Sequence, residues 1–140
     1  MKESEILLVK RSWRIFREID PVLIGDVFYS KLFSFNPSLR KMFPSNMSHQ
    51  YQKLMEMINT IIARLDKLDE LSDEISAMAQ RHVHYGVRAG HYKLVGKALL
   101  WTLKQGLGND WTPELEEGWT KCYALLSGEM IRASQQNSVK

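Results

Sequence analysis

The chain has 140 residues, of which 44% are hydrophobic and 25% charged, a balance that supports one ordinary hydrophobic core and excludes collagen-like, low-complexity and disordered classes. Nineteen Lys and Arg against sixteen Asp and Glu give a net charge of +3, but the signs interleave without a long block of like charges, so no nucleic-acid partner is expected. Cys122 is the one cysteine, no apolar stretch approaches the roughly 20 residues that cross a bilayer, and the apolar run at 6–9 is too short for a secretory signal; the expectation is a single cytoplasmic domain over 1–140 with no membrane partner.

In chain order, residues 3–19 carry Ile6, Val9, Trp13 and Phe16 at helical spacing. Asp20-Pro21 then marks a helix start, because Asp accepts from orphan N–H groups and Pro at the first helical position loses no hydrogen bond. That second helix, 21–35, turns Ile24, Phe28 and Leu32 inward with Tyr29 and Phe33 beside them. Asn36-Pro37 and Thr112-Pro113 are two more starts of the same kind. After a break at 44–46, one long helix is predicted over 47–68, with Gln50, Leu54, Met57, Ile58, Ile61 and Leu65 on one face. A further helix over 70–84 aligns Ile75, Met78, Ala79 and His82. Gly86 and Gly90 punctuate the chain before a helix at 92–105, and the last helix runs from Pro113 to about Ala133. No alternating strand pattern or internal repeat is present, so the fold class is all-α with six or seven helices.

Phosphate-loop, Rossmann, zincin and dithiol motifs are absent, and no nucleophile elbow accompanies a serine. Three inward polar groups remain. At about 100° per residue His82 shares the apolar face of its helix, whereas His84 is rotated by roughly 200° from it. An inward histidine either bonds a carbonyl within the core or ligates a metal. Gln50 and Tyr29 also point to the interior, where an unpaired amide or phenol costs about 1–3 kcal/mol, so they need partners in the protein or a polar ligand. A charge asymmetry accompanies them: residues 75–109 contain no Asp or Glu but include Arg81, Arg88, Lys93, Lys97 and Lys104, by chance or to meet an anionic ligand.

Five segments, GDVFYSKLF at 25–33, NPSLRKMF at 36–43, AQRH at 79–82, HYKLVGKALL at 91–100 and WTKCY at 119–123, occur in the order and spacing that resemble the globin family. Within it the likeness is to single-domain bacterial globins and the globin part of flavohaemoglobins. The resemblance implies a globin fold around haem b (iron protoporphyrin IX), with His82 as the iron ligand. Phe43 would pack on the porphyrin, and Tyr29 and Gln50 would act on the ligand side beneath Leu54. Ile58, Met78, Val87, Tyr92 and Val95 would complete the cofactor contacts, and Lys53 or Arg81 would pair with the propionates. A phenol and an amide stabilise the partial negative charge of bound O2 in a dry pocket. The implied function is binding of O2, and of NO and CO, at five-coordinate or weakly six-coordinate iron. The alternatives are a nitric oxide dioxygenase that depends on a separate reductase, because no flavin and nicotinamide segment follows before Lys140, and a globin-fold sensor or interaction module.

One position departs from the flavohaemoglobin pattern. There Tyr92 would join a glutamate of the last helix in orienting the ligating histidine, but ungapped alignment puts Ser134 at the glutamate position, with Glu129 five residues earlier. A carboxylate on the histidine strengthens its donation to a metal, so less efficient oxidative turnover is expected here.

Overall fold

The computed structural model describes residues 1–138 and the side chains up to Gln135; Val139 and Lys140, the end of the expected domain, lie outside the described residues. Six α-helices, α1 (Glu3–Phe16), α2 (Pro21–Phe35), α3 (Ser48–Ala63), α4 (Ser72–His84), α5 (Ala89–Leu107) and α6 (Pro113–Ser138), alternate with 3-10 segments at Pro37–Met42, Leu65–Leu71 and Gly108–Asp110. There is no strand among the described residues. No helix there is long and apolar enough to cross a membrane.

All three proline-marked starts occur, and each cap is visible. Asp20 accepts from the Val22 amide at 3.0 Å, Asn36 from Ser38 at 3.2 Å and Thr112 from Leu115 at 3.2 Å. The Asn36 start leads into a 3-10 segment rather than an α-helix. The long helix expected over 47–68 is broken: α3 ends at Ala63, and Lys67 has φ −140°, outside helical space. Its apolar periodicity survives the break, because the 3-10 segment still buries Leu65 and Leu71. Asp66, on the outer side, meets Lys10 of α1 at 3.5 Å.

Smaller boundary differences have local causes. α1 stops at Phe16, where the amide of Ile19 bonds the Phe16 carbonyl to close a tight turn ahead of Pro21. α4 begins at Ser72 because the 3-10 segment runs to Leu71. α5 begins three residues before Tyr92, since His91 Nδ1 accepts from the Arg88 amide at 3.0 Å and caps the new helix. α6 continues past Ala133 to Ser138.

α1 and α6 pack through Trp13, Phe16, Val9 and Trp119, all nearly inaccessible to water. Both indole N–H groups are satisfied: Trp13 donates to Asn59 at 2.6 Å and Trp119 to Ser12 Oγ at 2.9 Å, while the Ser12 hydroxyl donates to the Val9 carbonyl. Replacing Ser12 by Ala orphans a buried N–H, and the expected loss of stability is about 1–3 kcal/mol, read from the urea midpoint. Close packing also explains Gly25. A Cβ there would lie 2.4 Å from the Tyr51 ring, so Gly25→Ala is expected to displace Tyr51 and destabilise the fold by about 1–3 kcal/mol in the same measurement.

Candidate functional site

α2 and α3 form one wall of the site. α3 packs on α2 and α1, yet its backbone makes at most a marginal approach to α4 or α5. Correspondingly, the buried residues fall into two clusters, one holding Tyr29, Leu54 and Ile58 and the other holding Ile75, Met78, Ala79 and Tyr92. Met57 and Leu68 pack against both clusters, and Ile61 of α3 belongs to the second. Phe43, Val87 and Val95 are only half-buried, apolar side chains that protein alone leaves partly uncovered.

On the α2/α3 wall, Tyr29 is 5% exposed and Gln50 is half-buried. Gln50 Nε2 donates to the Tyr29 hydroxyl at 3.1 Å. Burial pushes the Tyr29 pKa up to about 12, so the phenol keeps its proton at neutral pH. With the oxygen already accepting from Gln50, the O–H of Tyr29 is left as a donor. The Tyr29 ring is held by Phe28, Phe43 and Tyr51, at 4.8, 5.3 and 5.7 Å between centroids. Phe43 is fixed in turn by Arg40, whose guanidinium donates to the carbonyls of Phe43, Pro44 and Ser45 at 2.9–3.2 Å. Leu54 and Ile58 continue the apolar wall along α3, and Lys53 is exposed beside them.

The second group of predicted residues comes from α4 and α5. His82 Nδ1 lies 2.7 Å from the Met78 carbonyl; a carbonyl only accepts, so Nδ1 carries the hydrogen and Nε2 is left with its lone pair. Desolvation lowers the His82 pKa, which keeps the ring neutral and able to ligate. Tyr92 is buried, with its ring stacked 6.5 Å from that of His82, and its carbonyl accepts from the Tyr123 hydroxyl at 2.5 Å. The chain turns directly after the histidine: the Val87 amide bonds the His82 carbonyl at 2.9 Å, and Gly86 takes φ +91°, which favours glycine. His84 and Arg81 are exposed.

No carboxylate bonds His82 among the described residues. Ser134 donates to the Ile131 carbonyl at 2.7 Å, and exposed Glu129 is ion-paired with Arg132. The histidine therefore has a neutral carbonyl behind it, and Glu129 does not stand in for the glutamate missing at 134.

The predicted site residues thus fall on two sets of elements. Tyr29, Phe43, Gln50, Leu54 and Ile58 lie on or between α2 and α3, and Met78, His82, Val87, Tyr92 and Val95 on or between α4 and α5. Lys53 and Arg81 stay in solvent. Sequence reasoning gave no role to Arg40 or Tyr51, which hold Phe43 and Tyr29 in place. Arg40 lies within the segment 36–43, and Gly25 in GDVFYSKLF marks the close approach of Tyr51.

The class defined here is an all-helical fold that carries one neutral, half-buried histidine on α4 and a hydrogen-bonded phenol–amide pair between α2 and α3. The globin family model matches residues 26–130, and the chain belongs to the globin family. It is 28% identical to a flavohemoprotein of Oceanobacillus iheyensis over 97% of this chain and 36% of that protein. A Vibrio cholerae flavohemoprotein is 30% identical over 94% of this chain and 34% of the relative; the chain spans about a third of the length of these relatives. Neuroglobin-1 of Oncorhynchus mykiss is 27% identical over 98% of this chain and 94% of its own. Among solved structures, a bacterial globin from Campylobacter jejuni superimposes with a TM-score of 0.87 at 20% identity, covering 99% of this chain and all of its own, a likeness of fold. An engineered carbene transferase, a candidate nitric oxide dioxygenase from Rhodothermus marinus, has a TM-score of 0.87 at 27% identity, covering 99% of this chain and 96% of its own.

The residues present fit a haem. Phe43, Val87 and Val95 are apolar side chains left half-buried, and His82 is a neutral imidazole with a free nitrogen.

Proposed function

We propose that this globin, folded as one domain over residues 1–140, holds haem b and binds O2 and related diatomic gases. The observation that carries the reading is His82, whose Nδ1 is anchored on Met78 while Nε2 is free. Haem supplies iron that takes up a diatomic gas; the chain decides how that gas is held. His82 would hold the iron, in a five-coordinate or weakly six-coordinate state. Phe43, Leu54, Ile58, Met78, Val87, Tyr92 and Val95 exclude water from the cofactor faces, while Lys53 or Arg81 meets the propionates at the rim. Tyr29 presents its O–H to the gas, and Gln50 holds that hydroxyl in register. A cytoplasmic setting is part of the reading.

A second reading, nitric oxide dioxygenase activity with a separate reductase, is supported by the Tyr29–Gln50 pair and by the likeness to flavohemoproteins. The carbonyl behind His82 favours gas binding over rapid oxidative turnover, because it strengthens the ligand less than a carboxylate would.

The test is the absorption spectrum of the haem-titrated protein in ferric, ferrous and O2-exposed forms. A saturating one-to-one Soret band and a reversible oxygenated form are expected. A chain that takes up no haem points instead to a sensor or interaction module. Nitrate release from the oxygenated form with NO and a reductase would establish the second reading. Because the cofactor contacts are mainly apolar, haem retention should change little between about 50 and 200 mM salt, whereas any DNA binding should fade over that range.

A further inference from the structure

A cavity of about 370 Å³ opens on the surface between α2, the loop before α3 and the first turn of α3. Exposed residues form its mouth, Asp26 and Ser30 on α2 with Ser45 of the loop and Ser48 of α3, and it reaches inward to Tyr51 and to Tyr29, which is 5% exposed. It joins solvent to the phenol that the reading above sets against the gas.

The walls of this space are pinned apart. Arg40 donates to the carbonyls of Phe43, Pro44 and Ser45 and lies 5.7 Å over the Phe33 ring, which ties the loop back to the 3-10 segment that carries Arg40. Asn46 accepts from the Ser48 amide at 3.0 Å and fixes the other end of the loop to α3. On the inner side, Tyr51 lies against Gly25, where a Cβ would come within 2.4 Å of the ring, and stacks on Tyr29 at 5.7 Å between centroids. Both rings pack toward α2, and neither fills the cavity.

The lining suits passage rather than retention. The cation in the wall, Arg40, is already bonded to three carbonyls, and no buried side-chain polar atom lacks a partner among the described residues, so no group there awaits a polar ligand. Asp26 joins no ion pair among the described residues, and its charge at the mouth repels anions. A neutral diatomic gas meets neither barrier.

We propose that this cavity is the port through which diatomic gases reach and leave the Tyr29 hydroxyl, with Arg40 and Tyr51 shaping its wall and floor. The proposal rests on the haem reading above. Because the mouth lies on the path and not against the bound gas, closing it raises one barrier for entry and exit alike, which changes rates and leaves affinity as it was.

Ser30→Cys in the haem-loaded full chain, modified with small N-methylmaleimide or bulky N-pyrenylmaleimide, tests it. Cys122 does not compete, because burial pushes its pKa up to about 12 and the thiolate is the reactive form. The pyrenyl label is expected to slow association and dissociation of O2 and CO alike by about threefold or more, with both affinities kept within about twofold, while the methyl label does little. The same labels on Ala124→Cys, at an exposed site on α6, should change nothing. Proton relaxation by dissolved O2 in the CO-bound chain gives a second reading: the pyrenyl label on Ser30→Cys should reduce it at the Tyr51 ring and not at Tyr85, which is 56% exposed. Unchanged rates, unchanged relaxation at Tyr51, or equal slowing from the label on Ala124→Cys overturns the port. So does a selective loss of O2 affinity, which would mean that the label displaces the Tyr29 hydroxyl. A chain without a Soret band overturns the haem reading itself, whereas a loaded chain with unchanged rates overturns the port alone.

Discussion

Replacing His82 with Ala is expected to abolish haem retention, while His84→Ala leaves the ferrous–CO spectrum unchanged. The two differ in direction and not in chemistry. His82 is anchored on the Met78 carbonyl at 2.7 Å and kept neutral by burial, whereas His84 is exposed. Removing the first deletes a half-buried neutral imidazole whose Nε2 is free. Haem titration followed by gel filtration reads the result, and His82→Gly with added imidazole supplies a control for folding, because a free imidazole should restore the band. Haem loss from His84→Ala with retention by His82→Ala would mean that the iron is held elsewhere.

Tyr29→Phe should accelerate O2 dissociation by about one to two orders of magnitude. A hydrogen bond to a partly charged oxygen is worth roughly 1.5–3 kcal/mol, and each tenfold in rate corresponds to about 1.4 kcal/mol. CO carries less negative charge and should respond little. Gln50 acts on the Tyr29 hydroxyl itself, at 3.1 Å, so Gln50→Leu should work in the same direction, and the double variant should fall short of the sum of the singles. Stopped-flow dissociation of both gases from the three variants decides between polar and steric control. Equal effects on O2 and CO would mean that Tyr29 acts by bulk alone.

Helix starts were legible in the sequence where a proline follows a capping side chain. Asp20, Asn36 and Thr112 each cap the segment that follows, and a proline next to each closes the alternatives. The phase of α4 was legible too, since Ile75, Met78 and Ala79 are buried with His82 beside them. Periodicity could not show the break after Ala63. Leu65 continues the helical spacing of Ile58 and Ile61 and stays buried, so the apolar pattern runs past Ala63 whether an α-helix or a 3-10 segment follows.

By itself, the sequence determined an all-helical class, most helix starts and the identity of the inward polar groups, because caps, proline geometry and apolar spacing are local properties. Only the tertiary structure decided which of those groups meet. Tyr29 and Gln50 lie 21 residues apart and share a hydrogen bond, and Arg40 fixes the loop that carries Phe43. It also decided that Ser134 and Glu129 bond elsewhere and leave His82 against a carbonyl. Such pairings depend on how helices and loops pack on one another, which residue spacing along one helix does not encode.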